Sequence, residues 1–513
     1  MELNKKIVAI IIILYAATAF LNLGKMYLRH EEPRRAIIAL EMNYTHNYIA
    51  PTVLGRNYYK KPPLHNIIIA IFFKIFGVNE SSARLISVLS MFGIALLIFL
   101  AIKEIVGFEA AVFAALGFAT SYIALIQYGM LAETDMFFSL LVFASMLCIF
   151  YDRILLGSFL TALALLTKGF PALHYFYLTL FGWYIYKKQP KKIFSKRVIG
   201  GGIIILSIFF GWLLLLSKGD IHRFNLALGF LLQASGSRVE SIQHIFESLK
   251  HLIIFPISFF IHGLPASIVF LFFLNSDFRA NFKESITSNS KISSLFYFSV
   301  ISFVVNFLIY AIIPDGRVRY TLPLFGITAL IYGIIFYVYE FNEAVNAKKY
   351  SLYVLYFFIA VFAVALLFDL EFLKTPSIME ISLALVISFL FIVLIKKTQS
   401  NSLNLLYCVV ASGLLLKLAY AATYESYLYT YYTNYRGIAS KMAKIILHNN
   451  PRYVMTDGGN LRLFFYLERD LKMQLHPIKN GKNGIIITRN PKRVKTVINS
   501  FSLPDHIYYI GKN

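Results

Sequence analysis

Five short stretches hold residue types that could do chemistry together. HEEPRRAIIALEM (30–42) carries Glu31 and Glu32 just ahead of a helix opening at Pro33, with Arg34 and Arg35 in its first turn. RNYYKKPPL (56–64) holds Tyr58, Tyr59, Lys60 and Lys61, MLAETDMFF (130–138) holds Glu133 and Asp135, TKGFP (167–171) holds Lys168, and PDGRVRYTLP (314–323) holds Arg317 and Arg319. Lysine and arginine can grip a phosphate and stabilise negative charge as it develops on a leaving phosphate, while a carboxylate can take the proton of an attacking hydroxyl or orient it. Group transfer from a lipid-linked phosphate donor needs both kinds of group. Singly, each stretch reads as a solvated helix end. Gathered on one face of a membrane protein, charges of both signs are costly enough to mark function.

The elements that would position these residues follow from composition. Of 513 residues 58% are hydrophobic and only 15% charged, far from the roughly 25% charged residues of a soluble domain; mean hydropathy is +0.66. A polytopic, all-α membrane protein is implied, its short basic start leading into a retained first helix rather than a cleaved signal. A helix needs about 20 apolar residues to cross the ~30 Å hydrocarbon core. Candidate spans lie near 6–24, 84–102, 108–128, 134–151, 154–168, 171–186, 198–217, 251–273, 294–313, 320–340, 351–368, 379–395 and 403–423, which makes about 13 transmembrane helices. The apolar stretch 66–77 is short and carries Lys74, which suits an interfacial or re-entrant helix.

Orientation comes from the basic loops. Lys5 and Lys6, the cluster Lys187 to Arg197, Lys348 with Lys349, and Lys396 with Lys397 all fall on one side when the first helix starts inside, as the positive-inside rule asks. The loops 25–83 and 218–250 and everything after about Tyr424 then lie outside, and the five stretches face outward with them. The formal charge of +23 is assigned to cytoplasmic loops and to contacts with anionic membrane lipids, and no nucleic acid partner is read from it. Cys148 and Cys408 sit inside apolar runs and read as packing residues.

Beyond residue 436 hydropathy falls. RYVMTD (452–457), NGIIITR (483–489) and HIYYIG (506–511) read as strands, alternating with helices near 437–448, 460–468 and 491–499. Residues 436–513 are therefore expected to form a small extracytoplasmic α/β domain after a membrane domain over 1–425. The Tyr-rich 424–435 reads as an interfacial aromatic belt. The turn Asp457-Gly458-Gly459 is assigned no chemistry.

In their order along the chain, HEEPRRAIIALEM, GRNYYKKPPL, AETDMFF, LLTKGFPAL and RVRYTLPLF resemble the polytopic GT-C glycosyltransferases of the aminoarabinose transferase (ArnT-like) and protein O-mannosyltransferase group. The resemblance runs from about residue 6 to 425 and is strongest over the first 175. It implies a GT-C fold and inverting transfer of a sugar from a polyprenyl-phosphate donor to a cell-envelope lipid or glycan, lipid A-like, at an extracytoplasmic site in the inner or plasma membrane. Glu31 stands where the family usually has Asp before Glu, and Glu32 fills the Glu position. The resemblance assigns Glu31, Glu32 and Asp135 to activating and orienting the acceptor. Lys61, the KPP lysine, Lys168, the TKG lysine, and Arg319 go to the donor phosphate, with Arg317, Tyr320, Tyr59 and Arg34 beside them. A divalent metal ion between Glu31 and Asp135 has no ligand-spacing signature, and no metal is assigned. A protein O-mannosyltransferase is the alternative within the fold. A lipid or sugar transporter or flippase is the alternative of another class, although no internal repeat is visible and the charges lie at one end of the spans rather than at the midplane.

Overall fold

The structure, a computed structural model, describes residues 5–236, 245–313, 316–341, 401–421, 434–478, 484–504 and 506–512, with a few scattered positions between 382 and 393. It is mostly helical and multi-span, with a small mixed sheet near the C-terminus. The helices are α1 (Lys5–Phe20), α2 (Glu32–Thr45), α3 (Leu64–Phe76), α4 (Glu80–Lys103), α5 (Phe108–Ala119), α6 (Thr134–Phe150), α7 (Ile154–Lys168), α8 (Pro171–Tyr186) and α9 (Lys196–Ser217). They continue with α10 (Ile221–Gly236), α11 (Ile245–His262), α12 (Ser276–Ser288), α13 (Ser290–Ile312), α14 (Leu322–Phe341), α15 (Asn401–Tyr420), α16 (Tyr435–His448) and α17 (Leu461–Leu471).

Among the described residues five helical segments are long and apolar enough to cross a membrane by themselves: Glu80–Lys103, Phe108–Tyr128, Lys196–Ser217, Ser290–Ile312 and Val318–Glu340. Shorter apolar helices, among them Thr134–Phe150 and Ile154–Lys168, lie where further spans are expected but are below that length. The expected spans 351–368 and 379–395 lie outside the described residues, as does most of the Tyr-rich belt. Two expectations are corrected. The span read as 251–273 is broken, because Gly263 and Pro265 end α11 and a 3-10 helix, Ala266–Leu274, follows. The helix read at 491–499 is a 3-10 turn, Pro491–Arg493, leading into a strand, Thr496–Ser502, that is held by antiparallel pairing with the strand Ile507–Lys512. α3 is 13 residues long, about 20 Å of helix, short of the ~30 Å core.

The chain divides into two compact units, one of Met1–Asn22, Ser87–Gly211 and Leu232–Tyr427, the other of Leu23–Ile86, Trp212–Leu231 and Leu428–Asn513. Within the first, aromatic packing joins the helices. Phe113 stacks on Phe336 with ring centroids 4.4 Å apart and Phe259 on Phe325 at 4.1 Å. Gly326 allows α14 to approach α6, since a Cβ there would lie 2.8 Å from the Phe143 ring.

The second unit is built around a five-stranded sheet of β3 (Val454–Thr456), β4 (His476–Pro477), β5 (Ile485–Thr488), β6 (Thr496–Ser502) and β7 (Ile507–Lys512), in the order β4-β3-β5-β7-β6. β3 runs parallel to β4 and β5, while β7 pairs antiparallel with β5 and β6. β1 (Thr52–Val53) and β2 (Arg56–Asn57) form a separate hairpin in the segment before Lys61. Helix α17 buries Leu463, Phe464, Phe465, Tyr466 and Leu467, and Phe465 meets Phe73 of α3 at 6.2 Å.

Candidate active site

In the first unit, local sequence fixes where each charged side chain emerges. α6 starts at Thr134 and puts Asp135 in its first turn, where a carboxylate is favoured by the helix dipole. α7 ends on Lys168, the cation-favoured end, and Gly169 follows with φ +93°. Pro171 then opens α8 at a first-turn position. TKGFP is thus a helix stop and a helix start set three residues apart. Lys168 Nζ donates to Asp135 Oδ1 at 2.7 Å, and both side chains are buried. The ammonium also lies 5.0 Å from the Phe138 ring centroid and 5.6 Å from that of Tyr320.

RVRY occupies a 3-10 turn, Val318–Thr321, immediately before α14. Its backbone is held by Tyr175, whose hydroxyl donates to the Tyr320 carbonyl at 2.6 Å. Arg319 reaches Glu133 Oε2 at 3.8 Å and donates from Nη2 to the Tyr320 hydroxyl at 3.4 Å. Among the described residues its buried Nε has no hydrogen-bond partner. Arg317 is exposed. Asp135, Lys168, Glu133, Arg319 and Tyr320 therefore form one group: two acids, two cations and a phenol, with an arginine N–H still free to meet an anion.

In the second unit, Glu31 and Glu32 are adjacent in sequence but differ in environment. Glu31 is half-exposed and pairs with Arg34 and, at 3.6 Å, with Arg35. Glu32 is fully buried. It receives Arg84 Nε at 2.8 Å and Nη2 at 3.0 Å, and the Arg29 backbone N–H at 2.8 Å. The same guanidinium donates to the carbonyls of Leu23, Met26 and Tyr27. Arg84 thus ties the 23–29 segment to the start of α2 through Glu32. Arg35 is also buried; its Nη2 donates to the Tyr58 hydroxyl at 2.9 Å, and among the described residues Nη1 has no hydrogen-bond partner. Tyr59 stacks on Phe230 at 6.3 Å. Lys61 is half-buried just ahead of Pro62 and Pro63, which lead into α3.

Arg35 and Glu133 stand in the chemistry-bearing stretches without a role of their own, and Arg84 and Tyr175 have none in the sequence reading. Arg84 opens an apolar span, and only its distant partner at position 32 gives it meaning. Among the described residues no three His, Cys, Asp or Glu side chains gather as metal ligands would.

Residues 60–214 match the family described as dolichyl-phosphate-mannose-protein mannosyltransferase. Over nearly the whole of both chains, 99% of this one and 98% of the other, the structure superposes on ArnT from Cupriavidus metallidurans bound to undecaprenyl phosphate, with a TM-score of 0.70 at 16% identity. The chain has the fold of this ArnT. The apo form of the same ArnT gives 0.68 at 15% identity. Sequence similarity is confined to part of the chain. An undecaprenyl phosphate-alpha-4-amino-4-deoxy-L-arabinose arabinosyl transferase 2 of Proteus mirabilis (strain HI4320) is 29% identical over 232 residues, 42% of this chain and 41% of that one. An uncharacterized protein of Aquifex aeolicus (strain VF5) is 30% identical over 188 residues, 36% and 43%. The matched region thus spans less than half the length of these curated relatives. The resemblance read from the sequence is met by the family match over residues 60–214 and by the multi-span fold; HEEPRRAIIALEM and RVRYTLPLF lie outside the matched residues.

Proposed function

We propose that the protein transfers a sugar from a polyprenyl-phosphate donor to a hydroxyl or phosphate oxygen of a cell-envelope lipid or glycan, at the extracytoplasmic face of the membrane and with inversion at the anomeric carbon. The observation that carries this reading is the buried Asp135–Lys168 pair beside Arg319, Glu133 and Tyr320, on the fold of an enzyme crystallised with undecaprenyl phosphate. The acceptor oxygen attacks the anomeric carbon, the bond from that carbon to the phosphate oxygen breaks, and polyprenyl phosphate leaves with the electron pair. Lys168, Arg319 and Lys61 are assigned to the charge growing on the departing phosphate, with Arg317, Tyr320, Tyr59 and Arg34 supporting them. Preorganised cations suit that task because they need no rearrangement as the charge appears.

The acceptor's proton needs a carboxylate that solvent and substrate can reach. Of the three acids assigned to the acceptor, Glu31 is the half-exposed one; Asp135 is engaged by Lys168, and Glu32 by Arg84. We therefore give Glu31 the proton, Asp135 the orientation of Lys168, and Glu32 the orientation of α2. The description of the family matched at residues 60–214 favours a second reading, in which the acceptor is a hydroxyl on a secreted protein. One experiment serves both: purified protein is incubated with membranes and labelled polyprenyl-phosphate sugars, and label is followed into lipid and protein fractions. Label in the lipid fraction supports the first reading, label in protein the second, and label in neither sinks both.

A further inference from the structure

Two carboxyls in the second unit stand apart from every group assigned above. Glu41, on the last turns of α2, and Glu468, on α17, are both fully buried, are bridged through neighbouring Gln474 and Leu475, which donate to one and the other, and perturb each other's ionisation. Among the described residues neither takes part in an ion pair. Glu41 is surrounded by donors. The Thr52 hydroxyl and the Gln474 amide, at 2.8 Å, donate to Oε2, and the Gly55 backbone N–H donates to Oε1 at 3.2 Å. Glu468 is not. Its Oε1 accepts the Leu475 N–H at 2.9 Å, while its buried Oε2 receives no donor among the described residues.

That asymmetry locates a proton. A carboxylate fed by three donors is stabilised as the anion, whereas a buried carboxylate oxygen with no donor is costly unless it carries a hydrogen of its own. We propose that Glu468 is a protonated acid whose Oε2–H donates to the Glu41 carboxylate, and that this pair is a lock joining α17 and β4 to α2 and the β1–β2 hairpin. The hairpin leads directly to Lys61, so the pair is a positioning device for the donor-binding segment, a consequence that rests on the functional reading above. Further contacts converge on the same seam. Gln474 also donates to Thr52 at 3.1 Å, and the Tyr44 hydroxyl donates to the Glu468 carbonyl at 3.0 Å. Gly55, at φ +68°, leaves no room for a Cβ against Leu475, His476 and Pro477.

Burial pushes Glu468 well above the ordinary carboxylate value, and the neighbouring Glu41 adds to the effect. Burial also raises Glu41, with the donors from Thr52, Gln474 and Gly55 opposing it. The other titratable or charged groups around the pair are Tyr44 on α2, Arg469 and Asp470 at the end of α17, which pair with each other at 2.8 Å, and His476 on β4. With the folded-state value raised, the folded unit holds a proton that the opened one has released. The lock is therefore complete below the ordinary carboxylate value and weakens as pH rises through the window above it, until Glu468 ionises.

The test is hydrogen exchange on the purified full-length protein from about pH 5 to about pH 8, read at 52–57 and 461–477 and corrected for intrinsic rates. One-proton linkage gives about a tenfold rise in the opening equilibrium per pH unit. Glu468→Gln, whose amide can donate to Glu41 without titrating, is expected to keep protection and lose the slope. Glu41→Gln turns an amide toward donors and is expected to lose protection at every pH. A flat profile in the unaltered protein, or equal loss of protection in the two variants, overturns the lock. Undecaprenyl phosphate binding on the same samples reports separately on the functional reading, because exchange at the seam needs no ligand.

Discussion

Replacing Glu32 by Gln and, separately, Glu31 by Gln should have very different consequences although the residues are neighbours. Glu32 is the counter-ion of a buried guanidinium that also holds the Leu23, Met26 and Tyr27 carbonyls. Glu32→Gln keeps the volume but takes from buried Arg84 the carboxylate it is hydrogen-bonded to, leaving only the more distant charge of Glu80, and removing one member of a buried pair costs about 3–5 kcal/mol. Glu31 is 42% exposed in its pair with Arg34, and pairs of that kind are worth about 0–1 kcal/mol. At about 1.4 kcal/mol per decade, Glu32→Gln should speed local opening by two to more than three decades, and Glu31→Gln by less than one. Hydrogen exchange over residues 23–36 in detergent-purified protein reads both. The difference should also appear in function: Glu31→Gln is expected to fold normally and lose transfer. Equal exchange effects, or a Glu32→Gln protein as protected as the unaltered one, would refute the distinction between the two acids.

Other outcomes follow from the same geometry. Lys168→Ala should lower transfer by roughly a hundred- to thousandfold, the usual effect of removing one preorganised stabiliser of transition-state charge, and it should weaken undecaprenyl phosphate binding in a scintillation proximity assay. Asp135→Asn should impair transfer while leaving some phosphate binding, since Lys168 keeps its charge but loses its fixed direction. Lys61→Ala is expected to leave a folded, monodisperse protein with most transfer lost, and Lys61→Arg should recover little, because a planar fork does not replace a compact ammonium; near-normal turnover in Lys61→Ala would show that RNYYKKPPL only anchors at the interface. Gly55→Ala should lower the thermal midpoint, for it combines positive φ with a Cβ about 3 Å from the neighbouring chain.

Much of this architecture is legible in local sequence. Hydropathy finds the long helices, Pro33 and Pro171 mark helix starts, and Lys168-Gly169 marks a stop, so the chain positions of Asp135, Lys168 and Arg319 at helix ends follow from neighbouring residues alone. What is not legible is pairing across long separations. Glu32 and Arg84 are 52 residues apart, and nothing near Glu32 says that it is buried while Glu31 is not. Glu41, inside an apolar stretch of α2, finds Glu468 and Gln474 only after the tail has folded. The strand at Thr496–Ser502 is misread because its apolar residues Val497, Ile498 and Phe501 do not alternate, and only pairing with β7 makes it a strand. The break at Gly263 and Pro265 is hidden by apolar residues on both sides, which average into one continuous span.

The account stands most directly on one measurement: release of polyprenyl phosphate and transfer of its sugar by purified protein in nanodiscs, supplied with undecaprenyl-phosphate-linked sugars and envelope lipid or protein acceptors. The expected result is equimolar appearance of undecaprenyl phosphate and glycosylated acceptor, abolished together in Lys168→Ala and in Glu31→Gln. Absence of transfer from every polyprenyl-phosphate donor, or transfer that survives undiminished in both variants, would contradict it.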